Sequence, residues 1–486
     1  MKIMNIILSE NDKPLYLKIA DAVRQLIIDG NLCSGDRLMS TRQLAAQLDV
    51  NRNTVINALA ELVAEGWIIA SERSAYRVNE VLPDGFFRTA QEHQFKKFAV
   101  KTDWDLGREG DLMAGFFNTP ASRVLLDSSS PDLRHFPINE FKSCMVEALT
   151  FSPQKILGYA RGQSQGHPPL ISALETYLRR YRSISDHELI VTQGSQEALF
   201  LCAQTFLGPG RNAAVPELSY PPAWEAFRAS GARLMGIKSD SAGVDPDSLA
   251  SIVKKQNIHM IYLTPLHQFP ISKKLSQNRR NHIYAIAAQH GIPIVEDDYD
   301  HEFHYETSTP IPMASRDSAQ IVIYISTFSK ILCPGIRIGF MAVPNVLLEP
   351  LAGFRRIMNL QQTTLTQDAV ARWMQRPGFE KHLYAMRQLY QERRDYMIQG
   401  LNTIKATRPG LDFHPPEGGM AIWLDTGENS ANLVKRALKQ GIAIQQERIF
   451  HLQNQPGPHI RLGFSAYSKK EIKQGLGQLR ALWPAS

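Results

Sequence analysis

The chain has 486 residues, 43% hydrophobic and 21% charged, with a formal net charge of +7. At ~100–200 residues per domain this length implies two or three folded units, and the composition excludes a disordered chain, a collagen-like repeat and a coiled-coil rod. No apolar run reaches the ~20 residues that span a bilayer, no targeting segment opens the chain, and Cys33, Cys144, Cys202 and Cys333 form neither a Cys-x-x-Cys pair nor a disulfide framework, so a reducing cytoplasm is the expected location.

The positive charge does not mark an end that binds nucleic acid. Residues 1–80 carry nine Lys/Arg against ten Asp/Glu, and residues 81–122 five against six, so the surplus lies beyond residue 122. Any nucleic-acid reading must rest on motif.

Leu15, Ile19, Ala22, Val23, Leu26 and Ile27 recur at helical spacing, and Gly30 is placed to end that helix. Ser40-Thr41-Arg42-Gln43 sets a hydroxyl three residues ahead of an amide, the capping box that opens a helix through Leu44 and Leu48. After a turn at Asp49-Val50, Asn51 caps a third helix, with Val55, Leu59, Leu62 and Val63 inward and Arg52, Asn53, Thr54 and Asn57 outward. Strands over 67–70 and 75–78 then flank residues 71–74. A short helix, a turn and a second helix with polar residues in its first turn is the geometry that enters a major groove, where Arg and Asn suit base edges. The hairpin would be a wing, with Arg73 and Arg77 near phosphates. A three-helix bundle that only mediates contacts fits the same periodicity.

The stretches "PLYLKIADAVRQLIIDG" and "GDRLMSTRQLAAQLDVNRNTVINALAELVAEGWI" cover nearly all of residues 13–78. They resemble the winged helix-turn-helix of GntR-type regulators. The resemblance implies Ser40, Arg42, Arg52, Asn53 and Thr54 as contacts to double-stranded DNA. The family wing usually turns on a glycine, whereas this chain has "SERSAY".

Residues 81–122 lack apolar periodicity and hold Pro83, Gly85, Gly107, Gly110, Gly115 and Pro120, which predicts a linker. Beyond it, β-branched runs at 188–192, 260–263, 292–296 and 321–325 alternate with helical stretches. That alternation predicts an α/β domain over 123–486 with a largely parallel sheet.

Several segments of this domain carry chemistry. "TQGSQEAL", from Thr192, follows a strand and opens a helix, so its Gly-Ser pair presents N–H groups that attract a phosphate; many helices begin this way. Asp297-Asp298-Tyr299 ends a buried strand, where α/β ligand sites form, and helix capping is the competing reading. Lys330 follows another strand in a hydroxyl-rich loop, placed as the amine of a Schiff base, and Arg337 is suited to a phosphate. Alone, each reads equally as a surface residue. Arg461 stands in an apolar strand, where a substrate carboxylate or a structural ion pair would satisfy it. Together these are the groups a pyridoxal phosphate site needs: an amine, an acid for the ring nitrogen, a phenol for the ring oxygen, phosphate ligands and an arginine for a carboxylate.

"TQGSQEAL", "LTPLHQFP", "VEDDYDHEFHY", "STFSKILCPGIRIGF" and "IRLGFS" resemble fold-type I aminotransferases. Joined to the GntR-type head, the chain resembles the MocR family of regulators. The resemblance implies a small winged helix-turn-helix at 1–80 and a large aminotransferase-like α/β domain that binds pyridoxal 5'-phosphate. It implies Lys330 as the residue of the internal aldimine, Asp297 at the pyridine nitrogen and Tyr299 at the ring hydroxyl. Ser195, Gln196, Thr327 and Arg337 would hold the phosphate, Tyr220 would stack on the ring, and Arg461 would take a ligand carboxylate. No metal is implied. Leu266 stands where the family has a small hydroxyl residue and Ser272 where it has a glycine, while Pro221-Pro222 follow the stacking tyrosine.

The expected function is a homodimeric transcription regulator that senses pyridoxal phosphate, an amine or an amino acid through Lys330. An active aminotransferase and a DNA-binding protein with a degenerate sensor are the alternatives, and a transamination half-reaction stays open.

Overall fold

A computed structural model describes residues 6, 8, 12–71, 75–83, 123–124, 126, 129–151, 153–159, 163–305, 311–408, 410–440 and 442–483. The chain divides into two compact units, Met1–Arg108 and Glu109–Ser486. Apart from residues 81–83, the expected linker lies outside the described residues, as does Arg73.

In the first unit, α1 (Leu15–Ile28), α2 (Thr41–Leu48) and α3 (Arg52–Ala64) precede an antiparallel hairpin of β1 (Ile68–Ser71) and β2 (Ala75–Val78). Both reciprocal bonds of the capping box are present at Ser40 and Gln43, and Asn51 accepts the Asn53 N–H. Asp49 turns between α2 and α3 in the left-handed region, at φ 53°. Ile19, Val23, Leu44, Val55, Leu59 and Leu62 share one core. Val63 does not join it as expected: it is 37% exposed and Ala58 is buried instead, because on a 3.6-residue period position 63 rotates past the face set by 55, 59 and 62. Arg77 donates Nη1 to the Gly35 carbonyl at 3.0 Å, so its head ties the wing to the loop before α2.

The second unit is built on a seven-stranded sheet. Its strands are β3 (Glu188–Thr192), β4 (Asn212–Pro216), β5 (Arg233–Ile237), β6 (Ile258–Leu263), β7 (Ile294–Asp297), β8 (Val322–Thr327) and β9 (Gly339–Val343), in the order β3-β9-β8-β7-β6-β4-β5. Only β9 is antiparallel to its neighbours. Central strands are buried on both faces, which is why they read as continuous apolar runs. Helices cover both faces, among them α4 (Ile138–Phe151), α5 (Ser195–Phe206), α6 (Gln277–His290) and α7 (Asn345–Asn359). The long α8 (Pro377–Lys405) leads to a smaller antiparallel sheet of β10 (Asp412–Phe413), β11 (Ala421–Asp425), β12 (Gln445–Gln446) and β13 (His459–Gly463), with its own core.

Candidate functional site

In the first unit the five residues expected at DNA fall at the starts of α2 and α3. Arg42, Arg52 and Asn53 are exposed there, and Thr54 is half-buried. Arg52 donates Nε to Thr41 Oγ1 at 3.3 Å, so the two helix starts form one polar edge. Ser40 is occupied in capping: its hydroxyl accepts the Gln43 N–H and donates to the Gln43 amide oxygen.

In the second unit the C-terminal ends of β3 and β8 meet the start of β9, because Gly339 pairs with both Thr192 and Thr327. This corner is very tight. A Cβ on Gly339 would lie 2.7 Å from the Gly194 carbonyl carbon, and one on Gly194, at φ 81°, would lie 3.0 Å from Arg337 Nη2. Glycine here lets the Arg337 guanidinium sit against the first turn of α5, whose N–H groups have no helical partner. Arg337 donates Nη2 to the Gln193 carbonyl at 2.6 Å. Thr327 accepts the Ser329 N–H and donates to Ser329 Oγ, which brings Ser329 into the set; only the hydroxyl-rich loop signalled it in sequence. Gln196 turns its side chain away, donating Nε2 to the Pro222 carbonyl at 2.8 Å, so its first-turn N–H is what it offers the cradle. Pro221 and Pro222 are the opening residues of the next helix.

Consecutive strand residues point to opposite faces, and the three acids at the end of β7 show the consequence. Glu296 turns to one face and accepts the Met313 and Ala314 N–H groups; burial pushes it up to about 7. Asp297 turns to the other. Its Oδ2 accepts the Tyr262 hydroxyl at 3.0 Å, its Oδ1 is buried with no hydrogen-bond partner among the described residues, and burial pushes it up to about 7. Asp298 is buried too, but His301, Arg182 and the Tyr324 hydroxyl overcome that penalty and hold it at about 2. Asp298 is therefore satisfied by the protein, and Asp297 has a vacant oxygen.

Lys330 lies near Asp297, Asp300 and Arg461; burial, then the Arg461 charge, lower its amine to about 8. Arg461 is 3% exposed, donates Nη1 to Ser129 Oγ at 3.1 Å and covers the Phe269 ring at 4.6 Å. Tyr220 and Tyr299 both pack edge-on against Phe269, and Tyr299 donates its hydroxyl to the His267 carbonyl. Phe450 and Trp423 complete this aromatic wall. Sequence reasoning missed one pair: His267 Nδ1 and Asp300 Oδ1 lie 2.6 Å apart, both buried, and Asp300 raises the imidazole against the pull of burial. Ser272 is buried at φ 58°, where the resemblance expects glycine, and donates its N–H to the Gln268 carbonyl. The second unit thus brings the cradle at Arg337, a buried carboxylate oxygen and an amine of lowered basicity to one edge of the large sheet, with the buried guanidinium of Arg461 reaching Lys330 from the smaller sheet.

Residues 133–479 match the family of aminotransferase class I and II, and residues 15–78 match the bacterial regulatory proteins of the gntR family. The probable rhizopine catabolism regulatory protein MocR of Rhizobium meliloti is 28% identical, with 98% of this chain and 94% of that protein covered. The HTH-type transcriptional regulator TauR of Rhodobacter capsulatus is 26% identical over 96% of each. Among solved structures, the kynurenine aminotransferase of Pyrococcus horikoshii, in complex with PMP, gives a TM-score of 0.71 at 27% identity. That likeness covers 77% of this chain and 94% of the aminotransferase.

Proposed function

Since this chain belongs to the class I and II aminotransferase family, which binds pyridoxal phosphate, and carries a gntR-family head as MocR-type DNA-binding regulators do, we propose that it adjusts DNA binding to a small amine or amino acid taken up at Lys330. The observation that carries the reading is the vacant, buried Asp297 Oδ1 on the same sheet edge as Lys330. When bound, pyridoxal phosphate supplies an aldehyde that amines attack and a ring that withdraws electrons.

The chain's own groups then have distinct tasks. The α5 first turn, Arg337 and Ser329 hold the phosphate. Asp297 would accept a hydrogen bond at Oδ1 from a protonated ring nitrogen, whose positive charge would offset the burial of the carboxylate. Tyr299 would serve the ring oxygen and Tyr220 the face of the ring. Lys330, lowered to about 8, keeps a usable fraction of neutral, nucleophilic amine at neutral pH. Arg461 takes the ligand's carboxylate in place of Ser129 Oγ. Ser129 lies five residues beyond the strand Arg123–Val124, which pairs with Ile442–Ala443. A ligand that binds one arrangement of this segment better than another shifts the population of the two.

Self-association is part of the proposal. Val146, Phe151, Leu157 and Ile357 are 54%, 69%, 70% and 84% exposed on α4, the short helix after it and α7, apolar side chains that a second copy would cover. The test is the affinity for a duplex selected from a random pool. Pyridoxal phosphate, and then an amino-acid donor, should change it for the wild type and not for Lys330→Ala. Equal affinity under all conditions would reject the sensor.

A further inference from the structure

A second pocket lies on the opposite face of β7 from Asp297, between α6 and the single turn Met313–Arg316. Its cavity is about 50 Å³, room for a few water-sized groups at ~10–15 Å³ each. Arg280, Arg316, Gln277, Asn281 and Tyr284 line it, and none of the lining residues among the described residues is acidic. Arg280 is 6% exposed. It donates Nη1 to the Ile311 carbonyl, while its Nε is buried with no hydrogen-bond partner among the described residues.

Burying a guanidinium is unfavourable unless an anion sits against it. None does: no carboxylate lies within ion-pair distance of Arg280 among the described residues. Glu296 is the acid whose charge it feels, and both Glu296 oxygens are taken by the N–H groups of Met313 and Ala314. Asp317, beside the pocket, is filled by Tyr284 and by the Ile321 and Val322 N–H groups. Arg316 also lines the pocket; burial first, and then this like charge, work against protonated Arg280. Two like charges facing one small, acid-free cavity are the arrangement that an anion reverses into attraction.

We propose that this pocket binds one tetrahedral oxyanion, phosphate or sulfate, between the Arg280 and Arg316 guanidiniums. Arg280 supplies the buried Nε–H, Arg316 closes the pocket from solvent, and the Asn281 and Gln277 amides offer further donors. The volume matches a single such group. The bound charge would sit behind Glu296, one residue from Asp297.

The experiment is thermal unfolding of the full chain saturated with pyridoxal phosphate, so that the cradle at Arg337 is filled. Inorganic phosphate is titrated against chloride at equal ionic strength and pH. The wild type and Arg337→Gln should show a saturable rise of a few degrees, which Arg316→Gln abolishes. Arg316→Gln should unfold in chloride no lower than the wild type, because the variant removes a repulsion. Sulfate should match phosphate and acetate should not. A saturable rise that persists in Arg316→Gln, that disappears in Arg337→Gln, that acetate reproduces, or that no protein shows would overturn the assignment.

Discussion

At the scale of single residues, neighbouring acids are given opposite chemistry by which face of β7 they leave. Asp297 and Glu296 are pushed up to about 7 by burial, so the fold keeps their protons longer than the unfolded chain does. Without cofactor, stability should therefore fall as pH rises from about 4 to about 7, by up to ~4 kcal/mol for each carboxyl. Asp298, held at about 2, works the other way: its contribution is present above about 4 and is lost as pH falls toward 2. Asp297→Asn should flatten the decline of Tm between pH 4 and 7 in cofactor-free protein; an unchanged slope would place that proton elsewhere. A second residue-scale expectation concerns the corner of the cradle. Gly339→Ala drives a methyl into the Gly194 backbone, which cannot yield as a side chain tip can. It should cost ~1–3 kcal/mol in denaturant unfolding, with weaker uptake of pyridoxal phosphate.

At the scale of elements, helix starts and strand ends were legible because their signals are local. The capping box at Ser40 and the cap at Asn51 set α2 and α3 from a few adjacent residues, strand ends placed Asp297 and Lys330 at one sheet edge, and Arg461 stood out as a charge inside an apolar strand. What was not legible joins distant segments. His267 meets Asp300 across 33 positions and Ser129 meets Arg461 across 332, and no spacing rule reaches that far. Gln196 read as a phosphate ligand by its place in the motif, yet its side chain turns to Pro222, a contact that only packing decides. Val63 shows the same limit within a helix, where one residue's rotation separates core from surface. Two predictions belong here. Ser40→Ala removes the hydroxyl that accepts the Gln43 N–H, while the backbone N–H of residue 40 can still donate to Gln43 Oε1, and it should cost the head ~1 kcal/mol, seen as a lower unfolding midpoint of its transition. Arg42→Gln, on the exposed edge, should weaken binding to all duplexes and lower the slope of log affinity against log salt by about one if it meets a phosphate. A sequence-selective loss would instead put it at a base.

At the scale of the whole molecule, a unit that reads DNA is joined to one built as an aminotransferase, and the account assigns them to one regulator. No described helix is long and apolar enough to cross a membrane. In the proposed dimer a second copy would cover the exposed apolar side chains of α4 and α7 and present two heads to two half-sites. Ile357→Glu should shift sedimentation from dimer to monomer. A dimer that survives this change together with Phe151→Glu would move the interface elsewhere. The most direct measurement is the visible absorption spectrum of the purified protein given pyridoxal phosphate, recorded beside Lys330→Ala. The account predicts a band of lysine-bound cofactor in the wild type, absent in the variant and altered by an effector amine. No such band in the wild type, or the same band in both proteins, would contradict Lys330 as the residue through which this regulator senses its ligand.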